Sequence, residues 1–298
     1  MSFCYDIKTE LSEIKVSRCC AQALTYGMLL FGRSFSSQKI SMQSENKAVV
    51  HLYSLQIEKN YAATVSVTAG NSKNTTYRAE VADEFDRLKI LASVDFGMSE
   101  GKISHEFFNR ECCEAAFVRG AFLACGQMSD PTKSYRVDFS VKNEALANEL
   151  RDILAKHSVA ANLSARGKGF VVYIKRSEMI INLLTLMGAS MRSLELIETT
   201  IIKEANNKTN RMFNCDGANI KKTIEASIKQ RQAIEYLKNR DILSSLPEEL
   251  ISAAQIRLDF PEASLKELCK NSKEPITVSG LNHRLNKIIE IYNDIISK

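Results

Sequence analysis

The stretches ALTYGMLLFGRSFS (Ala23–Ser36) and AFVRGAFLACGQMS (Ala116–Ser129) are two versions of one pattern, an apolar helical run that ends in a turn. When Gly27 is placed over Gly120, the following matches keep a constant offset. They are Leu29 over Phe122, Leu30 over Leu123, Gly32 over Cys125 and Ser36 over Ser129. A central glycine has no side chain and lets another backbone come close. The two runs therefore predict helices that meet at a seam.

A similar order of elements follows each run. After the first run we predict a strand at Ile40–Gln43, a helix at Ala48–Ile57, paired strands at Ala62–Thr68 and Thr75–Val81, and a helix at Ala82–Val94. After the second we predict a strand at Ser134–Val141, a helix at Glu144–Lys156, strands at Val159–Ser164 and Gly169–Lys175, and a helix at Ser177–Met187. The polar stretches Gly70–Asn74 and Ala165–Lys168 are the predicted hairpin turns. Unless the similarity is due to chance, the repeat predicts a pseudo-two-fold α+β domain over roughly the first 200 residues.

The C-terminal stretch SLKELCKNSKEPITVSGLNHRLNKII (Ser264–Ile289) predicts two short helices with a polar break between them. Ser264 and Glu267 have the spacing of a capping box, which satisfies free amides at a helix start. Pro275 disfavours helix in the residue before it, and Thr277 can cap the second helix. The predicted buried face of that helix is Leu281, Leu285 and Ile288.

The other face of the second helix carries amide, hydroxyl and basic groups, and no acidic residue occurs from Thr277 to Ile289. Asn can pair with adenine, and Arg or Lys can reach guanine or phosphate. The pattern favours a helix that reads the major groove, with an ordinary helical hairpin as the alternative. The predicted base contacts are Ser279, Asn282, His283 and Asn286, and the predicted phosphate or positioning contacts are Thr277, Arg284 and Lys287. His283 is equally suited to donate a hydrogen bond to a phosphate or to neighbouring backbone.

Composition allows an anionic partner without requiring one. The 298 residues are 45% hydrophobic and 25% charged, with a net charge of +5, as in many globular proteins. From Lys203 to Arg240 there are nine basic and four acidic residues, and a basic helix is predicted over Ile220–Leu243. This excess could meet phosphates or could be a solvated helix face. The candidate phosphate contacts are Arg211, Lys221, Lys222, Lys266 and Lys273.

Cysteine and histidine spacing gives no metal motif along the chain. The eight cysteines include two adjacent pairs but no C-x-x-C, and the four histidines are scattered. We therefore predict free, mostly buried thiols, no metal and no cofactor. The N-terminus lacks an apolar signal core and no run approaches the ~20 apolar residues of a membrane span. These features predict a cytoplasmic protein with no membrane partner.

Seven stretches, two of which overlap those quoted above, occur along the chain in an order that is specific as a set. They are SFCYDIKTEL (Ser2–Leu11), AFVRGAFLACGQMSDP (Ala116–Pro131), FVVYIKRSE (Phe170–Glu178), LMGAS (Leu186–Ser190), NRMFNCDGANIKKT (Asn210–Thr223), LPEEL (Leu246–Leu250) and SGLNHRLNKI (Ser279–Ile288). The set resembles the WhiA family of bacterial sporulation and cell-division regulators, and the repeated helix resembles that of LAGLIDADG homing endonucleases. The resemblance implies an α+β fold, in which a duplicated LAGLIDADG-like domain of two α-β-β repeats precedes an all-α helix-turn-helix domain.

The resemblance also implies a domain order and a function. Residues 1–107 and 108–204 would be the two repeats, 205–219 a linker, and 220–298 the DNA-binding domain with its helix-turn-helix at 264–289. The implied activity is sequence-specific binding of double-stranded DNA at promoters of sporulation, division and chromosome-segregation genes, by a nucleoid-associated protein. Other transcription or division proteins are further candidate partners. The alternatives are a metal-dependent DNA nuclease and a protein-interaction scaffold.

The repeated helices lack the acids that nuclease chemistry requires. In the active endonucleases each such helix ends in a carboxylate that holds a divalent cation, because Mg²⁺ prefers hard oxygen ligands. The corresponding residues here are Gly32 and Cys125, and Asp130 lies five residues further on. We therefore predict no catalytic residues. Basic residues of the second repeat could instead contact phosphates, unless that surface docks protein partners; they are Arg136, Lys142, Arg166, Lys168, Lys175 and Arg176.

Overall fold

The computed structural model describes residues 2–70, 75–94 and 102–297, without the side chains of residues 215, 216 and 218. The chain divides into two compact units, residues 1–203 and 204–298, and each is described by itself.

The first half of the N-terminal unit begins with a helix that the repeat did not predict. The elements are α1 (Phe3–Glu13), α2 (Arg18–Leu30), β1 (Ser34–Phe35), β2 (Ile40–Ser44), α3 (Lys47–Tyr61), β3 (Val65–Ala69), β4 (Tyr77–Val81) and α4 (Glu84–Ser93). Side chains cap the helices as their sequences favour. The Ala48 N–H donates to the side chain of Asn46 at the start of α3, and the Asp86 N–H donates to Asp83 at the start of α4.

The second half repeats the order from α2 to α4. Its elements are α5 (Glu111–Cys125), β5 (Gly126–Met128), β6 (Val137–Val141), α6 (Glu144–Lys156), β7 (Asn162–Arg166), β8 (Gly169–Ile174) and α7 (Ser177–Met187). The two antiparallel sheets have the same strand order, β1-β2-β4-β3 and β5-β6-β8-β7. The predicted duplication of one α+β unit is therefore confirmed.

Most differences from the predicted elements lie at strand ends. Strand β3 begins at Val65 rather than Ala62, because Ala62 takes a left-handed conformation (φ 50°) that ends α3. Gly167 has φ +61° in the Ala165–Lys168 turn, a conformation that glycine adopts without steric cost. The other predicted turn, Gly70–Asn74, falls mostly outside the described residues.

Helices α2 and α5 form the seam, and their glycines determine how closely they pack. A Cβ atom added at Gly27 would collide with the carbonyl oxygen of Phe117, and one added at Gly120 would collide with that of Leu24. At each glycine, the backbones of the two helices are thus in direct contact. Around this contact Tyr26, Met28, Phe117 and Phe122 are buried at the centre of the core.

Helix α8 (Ser190–Asn239) begins in the first unit and ends in the second. Residues 205–219, predicted as a linker, are helical, and the predicted basic helix over Ile220–Leu243 is the C-terminal part of α8. Asn and Thr are weak helix formers, but each costs only about 0.7 kcal/mol or less relative to Ala. The asparagine-rich composition of this segment therefore does not prevent it from being helical.

The second unit is all-α. After α8 come α9 (Glu248–Asp259), α10 (Leu265–Asn271) and α11 (Val278–Ile296). A separate core joins these helices, formed mainly by Ala233, Ile234, Leu237, Leu250, Ala254, Leu268, Leu281, Leu285 and Ile288. The predicted all-α C-terminal domain is confirmed.

The Gly27→Ala variant should destabilise the first unit. Its new methyl group has no space beside Phe117, and overpacking of this kind typically costs about 1–3 kcal/mol. Hydrogen exchange of α2 and α5 peptides as a function of urea would measure the loss.

The matched control is Gly217→Ala in α8, where an added Cβ meets nothing within 4 Å. That change should gain about 0.5–1 kcal/mol of helix stability. Equal effects of the two variants would contradict a backbone-to-backbone seam.

Candidate nucleic-acid interface

The two C-terminal helices begin at the predicted caps. The Ser264 N–H donates to Glu267 Oε2 at 2.8 Å and the Glu267 N–H donates to Ser264 Oγ at 3.3 Å, which completes the capping box of α10. These hydrogen bonds hold the pKa of Glu267 below its usual value. The Gly280 N–H donates to Thr277 Oγ1 at 3.1 Å and fixes the start of α11. The capping predictions are confirmed.

Helix α11 has a buried apolar face and an exposed polar face. Leu281, Leu285 and Ile288 are buried against the core of the second unit, as their spacing predicts. The four predicted base contacts are all exposed on the opposite side of the same helix; they are Ser279, Asn282, His283 and Asn286. The structure thus presents two amides, a hydroxyl and an imidazole together to solvent. These groups can donate and accept hydrogen bonds at base edges.

The three residues predicted to contact phosphates or position the helix differ in exposure and in the partners they already have. Thr277 is exposed, although its hydroxyl already caps α11. Arg284 is partly buried and forms an ion pair with Glu249 of α9 at 3.2 Å, so it braces the helix. Lys287 pairs with Glu290 at 3.0 Å on the helix surface. Such an exposed pair contributes little energy and can exchange for a phosphate.

The remaining candidate phosphate contacts are exposed cations of the second unit. Arg211, Lys221 and Lys222 lie on α8, Lys266 lies on α10, and Lys273 lies in the break between α10 and α11. The side chain of Lys221 approaches Glu225 only to 3.9 Å. All five are accessible to a polyanion.

Arg257 is a positioning residue that sequence reasoning missed. Its side chain is 1% exposed, and burial lowers its pKa from the ordinary value. Its Nε donates to Gln230 Oε1 of α8 at 2.8 Å, and a terminal nitrogen donates to the Ala263 carbonyl at 2.7 Å. Ser227 of α8 also donates to the Pro261 carbonyl. Together these bonds attach the α9–α10 connection to α8 and set where the helix-turn-helix begins.

In the first unit, the two residues aligned with the nuclease carboxylates line one cleft. Gly32 and Cys125 both border this cleft of about 490 Å³, beside Arg33, Lys142 and Lys168. Desolvation of the partly buried Cys125 raises the pKa of its thiol to about 12, so the thiol stays neutral. Among the described residues, no carboxylate lines this cleft. Its charge suits an anion and not Mg²⁺.

Several other acidic and basic groups of the second repeat have local partners. Asp130 accepts bonds from the Thr132 N–H and hydroxyl at 2.9 and 2.7 Å, which lower its pKa. Arg136 pairs with Asp138 at 2.7 Å, and Arg176 pairs with Glu178 at 3.1 Å. Asp130 therefore stabilises a turn, and the exposed cations of this surface include Arg166, Lys168, Lys175 and Arg176.

The thiols depart from the prediction. Of the seven cysteines whose side chains are described, only Cys4 and Cys113 are buried, so the expectation of mostly buried thiols is wrong. The two adjacent pairs, Cys19–Cys20 and Cys112–Cys113, also come together in space. A search for ligand spacing along the chain missed this cluster, whereas the constant offset of the repeat could have revealed it.

The described part of the chain contains no helix with the length and apolarity needed to cross a bilayer.

Comparisons with known proteins place both units in one family. The model of the WhiA LAGLIDADG-like domain matches residues 114–206, and that of the WhiA C-terminal HTH domain matches residues 209–292. Proteins named "Probable cell division protein WhiA" are similar over nearly the whole chain. That of Ruminiclostridium cellulolyticum is 34% identical and that of Bacillus subtilis 32% identical, each over 98% of this chain and 97% or 96% of the relative.

Solved structures support the fold. The crystal structure of full-length WhiA from Thermatoga maritima has a TM-score of 0.60 and 23% identity, and the match covers 99% of each chain. That of the N-terminal LAGLIDADG domain of WhiA has a TM-score of 0.50 and 19% identity, over 63% of this chain and 92% of that one. The predicted fold class, a LAGLIDADG-like domain followed by a helix-turn-helix domain, is confirmed.

The Arg257→Lys variant should destabilise the second unit by about 1.5–3 kcal/mol, the range for hydrogen bonds made by charged groups. Lysine keeps the charge but cannot reproduce the two-sided bonding to Gln230 and Ala263. Hydrogen exchange of α9–α11 peptides would measure the change. Arg231→Lys, an exposed substitution on α8, is the control and should change stability little; equal effects would argue against a positioning role for Arg257.

Proposed function

This chain belongs to the WhiA family, and from that premise we propose that it is a sequence-specific DNA-binding regulator without nuclease activity. Its partner is double-stranded DNA, and helix α11 is the reading element. The relatives' name, "Probable cell division protein WhiA", supports promoters of division genes as targets. Promoters of sporulation and chromosome-segregation genes are further candidate targets, which the sequence resemblance implies. The working location is then the cytoplasm, on the nucleoid, and transcription or division proteins are further candidate partners.

The exposed polar face of α11 is the observation that carries this proposal. Its predicted base contacts lie in the N-terminal half of the helix, and a reading helix uses that half in the major groove. Asn282 and Asn286 are one helical turn apart, so both amides face the same way. The capping residue Thr277 and the buried leucines hold the helix in place before DNA arrives. A preformed reader loses less conformational entropy on binding.

Phosphate contacts would come from groups around the reading face. Lys266 and Lys273 flank it in sequence, and Arg211, Lys221 and Lys222 add the positive charge of α8. Lys287 can exchange its exposed partner Glu290 for a phosphate, whereas Arg284 holds α11 to α9. These contacts would supply affinity and register, and the amides of α11 would supply sequence preference.

The first unit would contribute shape and charge but no cleavage. Gly32 and the neutral thiol of Cys125 occupy the metal-ligand positions, and Arg33, Lys142 and Lys168 surround them. Phosphodiester hydrolysis by a two-metal site needs carboxylates that hold both cations. A basic cleft without described carboxylates instead suits a phosphate that is bound and not cut.

The Asn282→Ala variant should lose about 1–3 kcal/mol of affinity for the preferred sequence, the value of one good base contact. Its affinity for unrelated DNA should stay the same. Selection of fragmented genomic DNA by intact and variant protein, at several salt concentrations, would measure both effects. Asn293→Ala is the matched control, since Asn293 is exposed near the C-terminal end of the same helix.

Two outcomes of this selection would redirect the proposal. If both variants keep the intact protein's preference, α11 is not the reader. If binding hardly changes with salt, phosphate neutralisation is not involved, and the protein-interaction scaffold becomes the better hypothesis.

Supercoiled plasmid carrying the preferred sequence should stay intact when incubated with the protein and Mg²⁺ or Mn²⁺. Gel electrophoresis detects nicked and linear forms. Cleavage that co-purifies with the protein and disappears in a Lys142→Ala/Lys168→Ala variant would establish the nuclease alternative.

A further inference from the structure

Two cysteine pairs meet at the N-terminal ends of the seam helices. Cys19 and Cys20 lie in the first turn of α2, and Cys112 and Cys113 lie in the first turn of α5. Their four Sγ atoms, which we call the thiol cluster, all lie within 4.8 Å of one another. This is the one set of three or more His, Cys, Asp or Glu side chains with ligand-like spacing among the described residues.

The cluster is a product of the duplication. Cys19 and Cys112 are 93 residues apart, as are Gly27 and Gly120, so the pairs occupy equivalent positions in the two repeats. Close packing of the helices at the glycines then brings equivalent first turns together. The packing of α2 against α5 therefore brings the sulfurs together.

We propose that the thiol cluster is a structural binding site for Zn²⁺. Four thiolates form a closed tetrahedral shell around zinc, with Zn–S bonds of about 2.3 Å and therefore sulfurs about 3.8 Å apart. The present spacing has to shorten by at most about 1 Å, which small rotations of the side chains can provide. On binding, the thiols release their protons to solvent and the sulfurs become the ligands.

The surroundings of the thiol cluster suit a metal ion bound by four thiolates. The first-turn N–H groups of α2 and α5 point toward the helix starts, where the negative sulfurs would lie. Of these groups, the Cys113 N–H already donates to the Arg110 carbonyl at 2.8 Å. The exposed Arg18 directly precedes the first pair, and the exposed residues Arg110 and Glu111 precede the second pair. Cys113 is buried, Cys19 and Cys20 are half-buried and Cys112 is exposed, so the ion has a path from solvent to the interior ligands.

Disulfides are the alternative use of the cluster. Each joins two sulfurs at about 2.05 Å, so the four thiols would need two such bonds, and disulfides do not persist where thiols are kept reduced. A soft divalent cation uses all four sulfurs at once. Such an ion would link the two repeats across the seam, so its binding energy would add to the stability of the first unit.

The test is metal analysis of the full chain, purified under reducing conditions and without added zinc. Mass spectrometry should find about one Zn²⁺ per chain, as one closed four-sulfur shell requires. After removal of zinc with a chelator and a reductant, Co²⁺ should give the absorption of tetrahedral thiolate coordination. The melting temperature of the stripped protein should rise as Zn²⁺ is added back.

Variants separate this site from other thiols. Cys19→Ser/Cys112→Ser should lose the zinc and the cobalt spectrum, whereas Cys269→Ser, in the second unit, should keep both. If the double variant does not fold, the metal content and cobalt spectrum of the intact chain still decide the question. Absence of stoichiometric metal and of the cobalt spectrum in the reduced intact chain would overturn the proposal, as would a disulfide within the cluster trapped by alkylation of whole cells.

Discussion

The backbone contact between α2 and α5 at Gly27 and Gly120 is the constraint on which the first unit depends. Any side chain at either glycine would push the helices apart, because the nearest atoms are carbonyl oxygens of the other helix. The contact fixes the pseudo-two-fold relation of the two sheets. It also brings together pairs of residues that are far apart in the chain, the first-turn cysteines at one end of the helices and Gly32 and Cys125 at the other.

In the second unit, a short helix-turn-helix packs on a small hydrophobic core. Its apolar centre is modest, and the buried guanidinium of Arg257 adds directional bonds that hydrophobic packing cannot supply. A buried charge is tolerated only when its donors are satisfied. The bonds to Gln230 and Ala263 satisfy two of them and join α8 to the start of α10. The side chains on the polar face of α11 can then remain exposed, apart from Arg284, which pairs with Glu249.

Much of this architecture could be predicted because the chain repeats itself. The constant offset between the two apolar runs predicted the seam and both sheets, and the capping signals at Ser264 and Thr277 predicted the starts of α10 and α11. The helical state of residues 205–219 and the role of Arg257 could not be predicted. The first depends on small differences in helix propensity along a long helix, and the second depends on a partner, Gln230, that is 27 residues away. The thiol cluster was missed because its ligands are joined by symmetry and not by local spacing.

The parallel arrangement of the seam helices has an electrostatic consequence. Two helices side by side with both N-termini at one end place like partial charges together, about half a positive charge at each start and half a negative charge at each end. Carboxylates at the C-terminal ends, as in a nuclease, would add to that repulsion and would need cations to offset it. Here a glycine and a neutral thiol stand at those positions, beside Arg33, Lys142 and Lys168. Without carboxylates at these two positions, the helix pair does not need bound cations to offset such repulsion.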